Sequence, residues 1–430
     1  MKKSLKVTAA MLLTSSLLLS ACGSGNSKEG NEAAGNGGKG GETKTISIFQ
    51  LKVEIAEALN GLKAEYEKEH PGIKLDIQTV GGGADYGAAL KTKFASGEEP
   101  DIFINGGHKE LETWIDSLED LSNEPWVSDL VDVAKEPMTK DGKLYGMPAN
   151  LEGYGFLYNK DLFEKAGITE TPDTLAELED AAKKLEAIGV TPFSNGYQEV
   201  WVLGLHLLNV AFANQEDPDA FIQGLNDGSA TMVGNPIFED WVNLFDLTLK
   251  YGNKNPLTTD YNTQMTLFAK GEAAMAQQGN WTQVQIDGIT PGMNVGILPM
   301  PINNNEGQDK LMIGVPTNWV VNKNSPVKEE AKDFLNWLVT SETGKRYITQ
   351  EFKFIPAVKS IETKEEDLGP LGSEVVKYSQ EDKALSWNFN KFPDGGMNEF
   401  ASPMQAYVAG KIDSKQLIED LQKAWVSLNK

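Results

Sequence analysis

The chain has 430 residues, of which 40% are hydrophobic and 23% charged, as in a globular protein of two or three domains. Acidic residues number 62 against 39 basic ones, and the net charge of −23 argues against nucleic acid, whose phosphates need clustered Lys and Arg. The single cysteine, Cys22, excludes a disulfide within the chain, and the three scattered histidines predict neither a metal site nor a cofactor.

The first 22 residues have the features of a signal peptide. Three lysines precede an apolar run, Val7 to Leu19, which is too short to span a membrane. The run ends in Leu-Ser-Ala-Cys, which resembles the bacterial lipobox. This resemblance implies that residues 1–22 are a lipoprotein signal peptide and that the sulfur of Cys22 carries lipid. The alternative is a lone cysteine in a discarded signal peptide.

Residues 23–44 are rich in Gly, Asn, Ser and Glu and contain almost no large apolar side chain. This composition predicts a flexible tether. An acyl anchor followed by a tether would hold a globular body at the extracellular face of the bacterial cytoplasmic membrane.

Strand and helix patterns alternate from Thr45 onward. Residues 46–48 and 73–77 alternate as strands, 55–66 and 86–96 have helical spacing, and 100–104 form a short buried strand. This order predicts an α/β layer with a largely parallel sheet, which binds ligands beyond the carboxyl ends of its strands.

Later segments are mostly helical. Thr171 before Pro172 predicts an N-cap for the helix through Leu175 to Ile188, and Ser325-Pro326 repeats the pattern. Residues 201–250 and 412–428 are also predicted to be largely helical.

Five segments resemble the family 1 extracellular solute-binding proteins of sugar ABC transporters, the maltose-binding-protein-like cluster, and they occur in the family's order. They are FASGEEPDIF (94–103), GKLYGMP (142–148), LYNKDLF (157–163), FAKGEAAM with GNW (268–281) and AKDFLNWL (331–338). Residues 49–55, 81–87 and 150–156 look most like binding proteins for raffinose-type and isomaltose-type α-galactosides and α-glucosides.

The resemblance implies an α/β, two-lobed periplasmic-binding-protein-like fold of type II, each lobe a mixed, mostly parallel sheet flanked by helices. The N-terminal lobe would comprise 45–148 and 315–357, and the C-terminal lobe 149–314 and 358–430. Hinge crossovers would lie near 147–150, 313–318 and 355–359. The implied partners are an oligosaccharide in the interlobe cleft and the permease subunits of an ABC transporter, and the protein would be a monomer.

A sugar stacks its apolar ring faces on aromatic rings, and its hydroxyls pair with amides, carboxylates or cations. Loops after the first-lobe strands carry such side chains, and the predicted ligand-binding residues there are Gln50, Lys52, Glu54, Asp85, Tyr86, Asn105, Gly106 and His108. As alternatives, Lys52 and Glu54 form a solvated helix start and His108 is a bystander. The glycines at 81–83 are not followed by Gly-Lys-Ser/Thr, so they are not a P-loop.

Ten further residues are predicted to bind ligand from the second lobe and the crossovers: Glu152, Tyr154, Trp201, Asn280, Trp281, Asn318, Trp319, Trp387, Asn388 and Asp394. By resemblance, Trp281 is the tryptophan that stacks on the sugar. Packing in the core is the alternative for Trp201 and Trp281, a buried strand for Trp319, and a structural ion pair for Glu152.

Two carboxylates such as Glu152 and Asp394 could in principle hydrolyse a glycoside. No Gly-x-Ser-x-Gly or His-Glu-x-x-His motif is present, and the lipobox and tether favour capture over catalysis. The sequence therefore predicts a binding protein, not an enzyme. A polyamine, metal or peptide ligand is the alternative to a sugar.

Overall fold

The structure is a computed structural model that describes residues 43–430. The predicted signal peptide, its Cys22 and the tether up to residue 42 lie outside the described residues. The first strand begins at Lys44, one residue before the predicted start of the folded body.

The strands, in chain order, are β1 (Lys44–Gln50), β2 (Ile73–Thr79), β3 (Ile102–Asn105), β4 (Thr139–Lys140), β5 (Lys143–Leu144), β6 (Met147–Pro148), β7 (Glu152–Asn159), β8 (Thr191–Ser194), β9 (Ala273–Gly279), β10 (Val295–Leu298), β11 (Leu311–Gly314), β12 (Asn318–Val321) and β13 (Ala384–Ser386).

The α-helices, in chain order, are α1 (Ala56–Glu69), α2 (Tyr86–Ser96), α3 (Lys109–Trp114), α4 (Asp132–Lys135), α5 (Lys160–Lys165), α6 (Leu175–Ala187), α7 (Leu208–Ala213), α8 (Pro218–Asp227), α9 (Pro236–Lys250), α10 (Tyr261–Ala269), α11 (Gln283–Ile289), α12 (Lys328–Thr340), α13 (Glu342–Arg346), α14 (Glu365–Gln380), α15 (Gly396–Val408) and α16 (Ser414–Leu428). A π-helical turn, Val202–Leu207, leads into α7.

The strands form two large sheets. The sheet of the first lobe has the order β2-β1-β3-β12-β6, and that of the second has the order β13-β11-β7-β9-β8, with β10 also paired to β7. Both sheets are mixed, as predicted, but the pairing is less parallel than predicted. In the first sheet β12 runs antiparallel to β3 and β6, and in the second β7 runs antiparallel to β9, β10 and β11. The antiparallel pairs arise because β12 and β7 enter their sheets directly from the other lobe.

Each sheet packs in its own hydrophobic core. Phe49, Phe103 and Trp319 lie in the core of the first lobe, whereas Trp241 and Trp425 are fully buried in that of the second. Helices with one apolar face cover the sheets, as the helical spacing predicts.

Local capping explains where two of the predicted helices begin. Helix α2 begins where the sequence predicts, because the Asp85 carboxylate accepts a hydrogen bond from Ala88 N at 2.9 Å. The predicted cap of α6 at Thr171 is wrong. Thr174 caps this helix through a capping box with Glu177, which satisfies backbone amides on both sides and leaves Pro172 outside the helix.

Three segments connect the lobes and lie side by side. Ala149 N donates to Thr317 O at 3.0 Å, and Leu151 N donates to Ile355 O at 2.8 Å. The exact limits of the two lobes stay a prediction. Val358 packs in the core of the first lobe, although the first lobe was predicted to end one residue earlier, at 357.

Between residues 43 and 430, the helices are too short or too polar to cross a membrane.

Candidate functional site

Aromatic rings of the second lobe surround the imidazole of His206. Its ring centroid lies 4.5 Å from that of Tyr154, 5.0 Å from Phe389, 5.1 Å from Trp201, 5.3 Å from Trp281 and 5.6 Å from Trp387. We call these six residues the aromatic cluster. Its rings come from β7, from the π-helical turn and the residue before it, from the 3-10 turn at Asn280–Thr282, and from Trp387 and Phe389 before and at the start of the 3-10 turn Phe389–Lys391, so residues far apart in sequence meet in one cluster.

His206 is uncharged in this cluster. Burial, together with the nearby ammonium of Lys52, lowers the pKa of His206 to about 3. Below it, the Tyr154 hydroxyl donates to His206 O at 2.9 Å and accepts from Asn209 Nδ2 at 2.9 Å. Tyr154 is fully buried, and these two hydrogen bonds hold its ring against His206.

A charged cluster joins the two lobes. The Lys52 ammonium, which follows β1 of the first lobe, lies 2.5 Å from the Glu152 carboxylate on β7 of the second lobe and 3.6 Å from Glu54. All three side chains are at most 8% exposed. Asn150 Nδ2 also donates to Glu152 at 2.9 Å, and the ring of Phe354 lies 5.5 Å from the ammonium. We call Lys52, Glu54 and Glu152 the charged cluster.

Burial and the neighbouring charges shift the pKa values of this cluster in opposite directions. Burial by itself would lower the pKa of Lys52, but Glu152 and Glu54 outweigh it and the pKa is raised. Burial raises the pKa of Glu54, and Lys52 offsets only part of this effect. Lys52 is the only lysine or arginine that is buried in the described part of the chain.

Glu199 is a third buried carboxylate, 3% exposed. It accepts hydrogen bonds from Trp201 Nε1 at 3.2 Å and Tyr261 N at 3.0 Å. Its carboxylate lies against Gly83 of the first lobe, where a Cβ atom would come within 3.1 Å of Glu199 Oε2. Gly83 has a φ of 95°, so a glycine suits this position for both reasons.

Tyr261 connects the carboxylates to the aromatic cluster. Its ring lies 5.7 Å from that of Trp201. Burial raises the pKa of Tyr261, and Glu54, Glu152 and Glu199 raise it further. The aromatic cluster, the charged cluster, Glu199 and Tyr261 therefore form one region, which we call the interlobe site.

Several buried polar atoms in and beside this site have no hydrogen-bond partner within residues 43–430: Asn150 Oδ1, Tyr261 Oη, Gln277 Oε1, Asn280 Nδ2, Trp387 Nε1 and Asn388 Oδ1. Buried polar atoms in native proteins are almost always paired. Donors and acceptors that lack partners beside aromatic rings are suited to a ligand that carries both apolar faces and hydroxyl groups.

Of the predicted ligand-binding residues, the structure brings seven into or beside the interlobe site: Lys52, Glu54, Glu152, Tyr154, Trp201, Trp281 and Trp387. Asn280 and Asn388 adjoin it. Asn280 Oδ1 accepts from Gly153 N at 2.8 Å, while the backbone of Asn388 donates to Asn209 Oδ1 at 2.9 Å. Each keeps one unpaired amide atom.

Other predicted residues brace the ends of the first-lobe strands. Gln50 Nε2 donates to Thr79 Oγ1 at 2.5 Å, and Asn105 Oδ1 accepts from Gly107 N at 2.7 Å. The Tyr86 hydroxyl accepts from Ile104 N at 2.9 Å. Asn318 Nδ2 donates to Asn105 O at 3.1 Å, and Trp319 packs in the first core.

The remaining predicted residues lie where the rims of the two lobes meet. Asp394 pairs with Lys91 at 3.1 Å, and Asn390 Nδ2 donates to Gly106 O at 2.8 Å. Asp85 accepts from Asn398 Nδ2 at 3.4 Å. The His108 backbone donates to Pro137 O at 2.6 Å, and burial, followed by Lys391, lowers the pKa of its side chain. Ligand contact by any predicted residue stays a prediction.

Four members of the site are not among the residues predicted from the sequence: Glu199, His206, Tyr261 and Phe389. Two of them could have been predicted because they stand close in sequence to a predicted tryptophan: Glu199 lies two residues before Trp201, and Phe389 lies two residues after Trp387. Nothing local to His206 or Tyr261 shows that their rings would meet that of Trp201.

Residues 43–430 contain no group of three or more His, Cys, Asp or Glu side chains suited to hold a metal ion.

The fold and the site define a two-lobed solute-binding protein. The sequence profile described as "Bacterial extracellular solute-binding protein" matches residues 52–345, and the chain belongs to this family. The family resemblance read from the sequence, to extracellular solute-binding proteins of sugar ABC transporters, is confirmed. These are non-catalytic binding proteins, so the prediction that the chain is not an enzyme is also confirmed.

Similar proteins cover most of the chain. The "Multiple sugar-binding protein" of Streptococcus mutans is 24% identical over 91% of this chain and 96% of its own. The melibiose/raffinose/stachyose-binding protein MelE of Bacillus subtilis is 25% identical over 70% of this chain and 72% of its own.

Solved structures of RafE confirm the two-lobed periplasmic-binding-protein fold. The complex of RafE with raffinose has a TM-score of 0.78 at 25% identity and covers 90% of this chain and 100% of RafE. The apo form of RafE from Streptococcus pneumoniae has a TM-score of 0.70 at 25% identity and covers 90% and 99%.

Proposed function

We propose that this protein captures an oligosaccharide outside the cell and delivers it to the permease of an ABC transporter when its lobes close around the ligand. The observation that carries the proposal is the interlobe site, in which aromatic rings stand beside unpaired amide, indole and hydroxyl groups. An α-linked galacto- or gluco-oligosaccharide is the expected ligand, because the named relatives include binders of raffinose and stachyose.

Closure is supported by the contacts between the lobes. Lys52 reaches Glu152, Gly83 lies against Glu199, and Asn390 bonds to Gly106 across the rim. A ligand that touches both lobes would favour this closed form over an open one.

Thermal unfolding with a panel of solutes tests the ligand class. We expect raffinose, isomaltotriose or maltotriose to raise the melting temperature, because a solute that binds only the folded protein stabilises it. Spermidine and zinc should leave it unchanged. A rise with spermidine or zinc and with none of the saccharides would refute the sugar assignment in favour of a cationic solute.

We also propose that the protein is a lipoprotein with its acyl chain on Cys22. Support comes from the lysines, the short apolar run and the Leu-Ser-Ala-Cys sequence. The Cys22→Ser variant should appear in the medium of a Gram-positive host, whereas the wild type should stay in the membrane fraction. Membrane retention of both would contradict the proposal.

A further inference from the structure

The charges of the interlobe site are unbalanced. Glu54, Glu152 and Glu199 supply three carboxylates, and Lys52 supplies one ammonium. The imidazole of His206 is neutral and contributes no charge. The carboxyl groups therefore outnumber the ammonium groups three to one in a region where all four side chains are at most 8% exposed.

Two residues that donate hydrogen bonds to these carboxylates each keep a buried polar atom without a hydrogen-bond partner. Asn150, which donates to Glu152, keeps an unpaired Oδ1 and is 0% exposed. Tyr261, whose backbone donates to Glu199, keeps an unpaired hydroxyl and is 3% exposed. These unpaired atoms offer a ligand hydrogen-bonding partners beside the carboxylates.

We infer that the interlobe site selects its saccharide by charge: it binds uncharged oligosaccharides, accepts an ammonium-bearing one at least as well, and rejects those that carry a carboxylate or phosphate. The inference rests on the proposed function. Its physical reason is that an anion enclosed near uncompensated carboxylates is repelled through a medium of low dielectric constant, whereas neutral hydroxyls donate to these carboxylates and an ammonium is attracted.

Glu199 is the residue on which this selectivity depends most. Glu152 and Glu54 share the ammonium of Lys52, but Glu199 receives only neutral N–H donors, from Trp201 and Tyr261. Its charge is therefore the least compensated of the three. Its position against Gly83 also places it where the two lobes meet around a ligand.

Matched ligands test the inference on the unmodified protein. Raffinose and isomaltotriose are each compared by calorimetry, at neutral pH, with derivatives whose terminal C6 hydroxymethyl group has been oxidised to a carboxylate or converted to an aminomethyl group. We expect the carboxylate derivative to bind about tenfold or more weakly than the parent sugar, and the amine to bind at least as tightly. Equal affinity for the neutral and carboxylate forms would overturn the inference and leave the proposed function intact. Binding of neither parent sugar, and of no maltotriose either, would overturn the proposed function itself.

Variants then assign the effect to the carboxylates. Glu199→Gln keeps the size of the side chain and removes its charge. It should therefore reduce the difference in affinity between the neutral sugar and its carboxylate derivative, which we call the affinity gap. Glu54→Gln, which provides the same test if Glu199→Gln does not fold, should also narrow it. Glu179→Gln changes the net charge equally on the outer helix α6, where Glu179 pairs with Lys183 and Lys250, and should leave the gap unchanged. A gap that persists in full in Glu199→Gln and Glu54→Gln would refute the inference.

Discussion

The Trp281→Ala variant is expected to lose most of its saccharide affinity while it keeps its fold. The ring centroid of Trp281 lies 5.3 Å from that of His206 and 6.4 Å from those of both Trp201 and Trp387, so it contacts three other members of the aromatic cluster. Removal of a central buried aromatic contact costs about 2 to 4 kcal/mol of binding free energy, roughly 30- to 700-fold in Kd. Calorimetric titration measures the loss, and far-ultraviolet circular dichroism checks the fold.

Two variants make this result interpretable. Trp281→Phe retains a ring and should keep part of the affinity. Trp241→Ala removes a fully buried tryptophan that is not a member of the interlobe site and donates to Leu207 O at 2.7 Å. This change should instead cost stability, about 3 to 5 kcal/mol. If Trp281→Ala unfolds like Trp241→Ala, Trp281 is a core residue and its assignment to the ligand is wrong.

Replacement of Lys52 by Met is expected to be the most destabilising change in the interlobe site. It leaves Glu152 and Glu54 buried without their cation, and removal of one partner of a buried ion pair costs about 3 to 5 kcal/mol. The loss should be measured as the free energy of unfolding in urea.

The loss of unfolding free energy in Lys52→Met should depend on pH, and it should be larger at neutral pH than at acidic pH. Burial already raises the pKa of Glu54 in the wild type, and without Lys52 the pKa of Glu54 should rise further above its unfolded value. A carboxyl group of this kind stabilises the fold when protonated and destabilises it as pH rises through its folded pKa. The variant should therefore be most impaired at neutral pH and recover toward about pH 5.

Lys160→Met provides the matched control for this prediction. Lys160 also pairs with a carboxylate, Glu374, at 2.6 Å, but the two side chains are 33% and 24% exposed. A solvent-accessible pair of this kind contributes about 1 kcal/mol or less. If Lys52→Met and Lys160→Met lose the same free energy of unfolding, and neither loss depends on pH, burial of the charged cluster has no energetic consequence and the prediction is wrong.

Local patterns predicted much of the fold. The bounds of α2 follow from apolar spacing and the Asp85 cap, and the buried strand at 100–104 corresponds to β3. The cap at Thr171 was wrong because two threonines stand close together, and only Thr174 has a glutamate three residues later to complete the box. The antiparallel pairing of β7 and β12 depends on how the chain passes between lobes, which strand periodicity does not encode.

The interlobe site was predictable only in part, since it is assembled from distant segments. Lys52 and Glu152 are 100 residues apart, and each lies within a segment that resembles the family, 49–55 and 150–156. In contrast, Gln50, Tyr86 and Asn105 have the polar character of ligand-binding residues but hydrogen-bond to the strand ends of their own lobe. Residue type and loop position do not distinguish a side chain that braces a loop from one that faces a ligand.

The central claim, that an oligosaccharide binds between the lobes at the aromatic cluster, is tested most directly by a pair of crystal structures, one without saccharide and one with raffinose or isomaltotriose. We predict that the ligand-free lobes stand further apart. In the complex, a sugar ring should stack on Trp281 with hydroxyls bonded to Glu152 and Glu199. Saccharide bound away from these residues, or lobes equally closed in both crystals, would contradict the account.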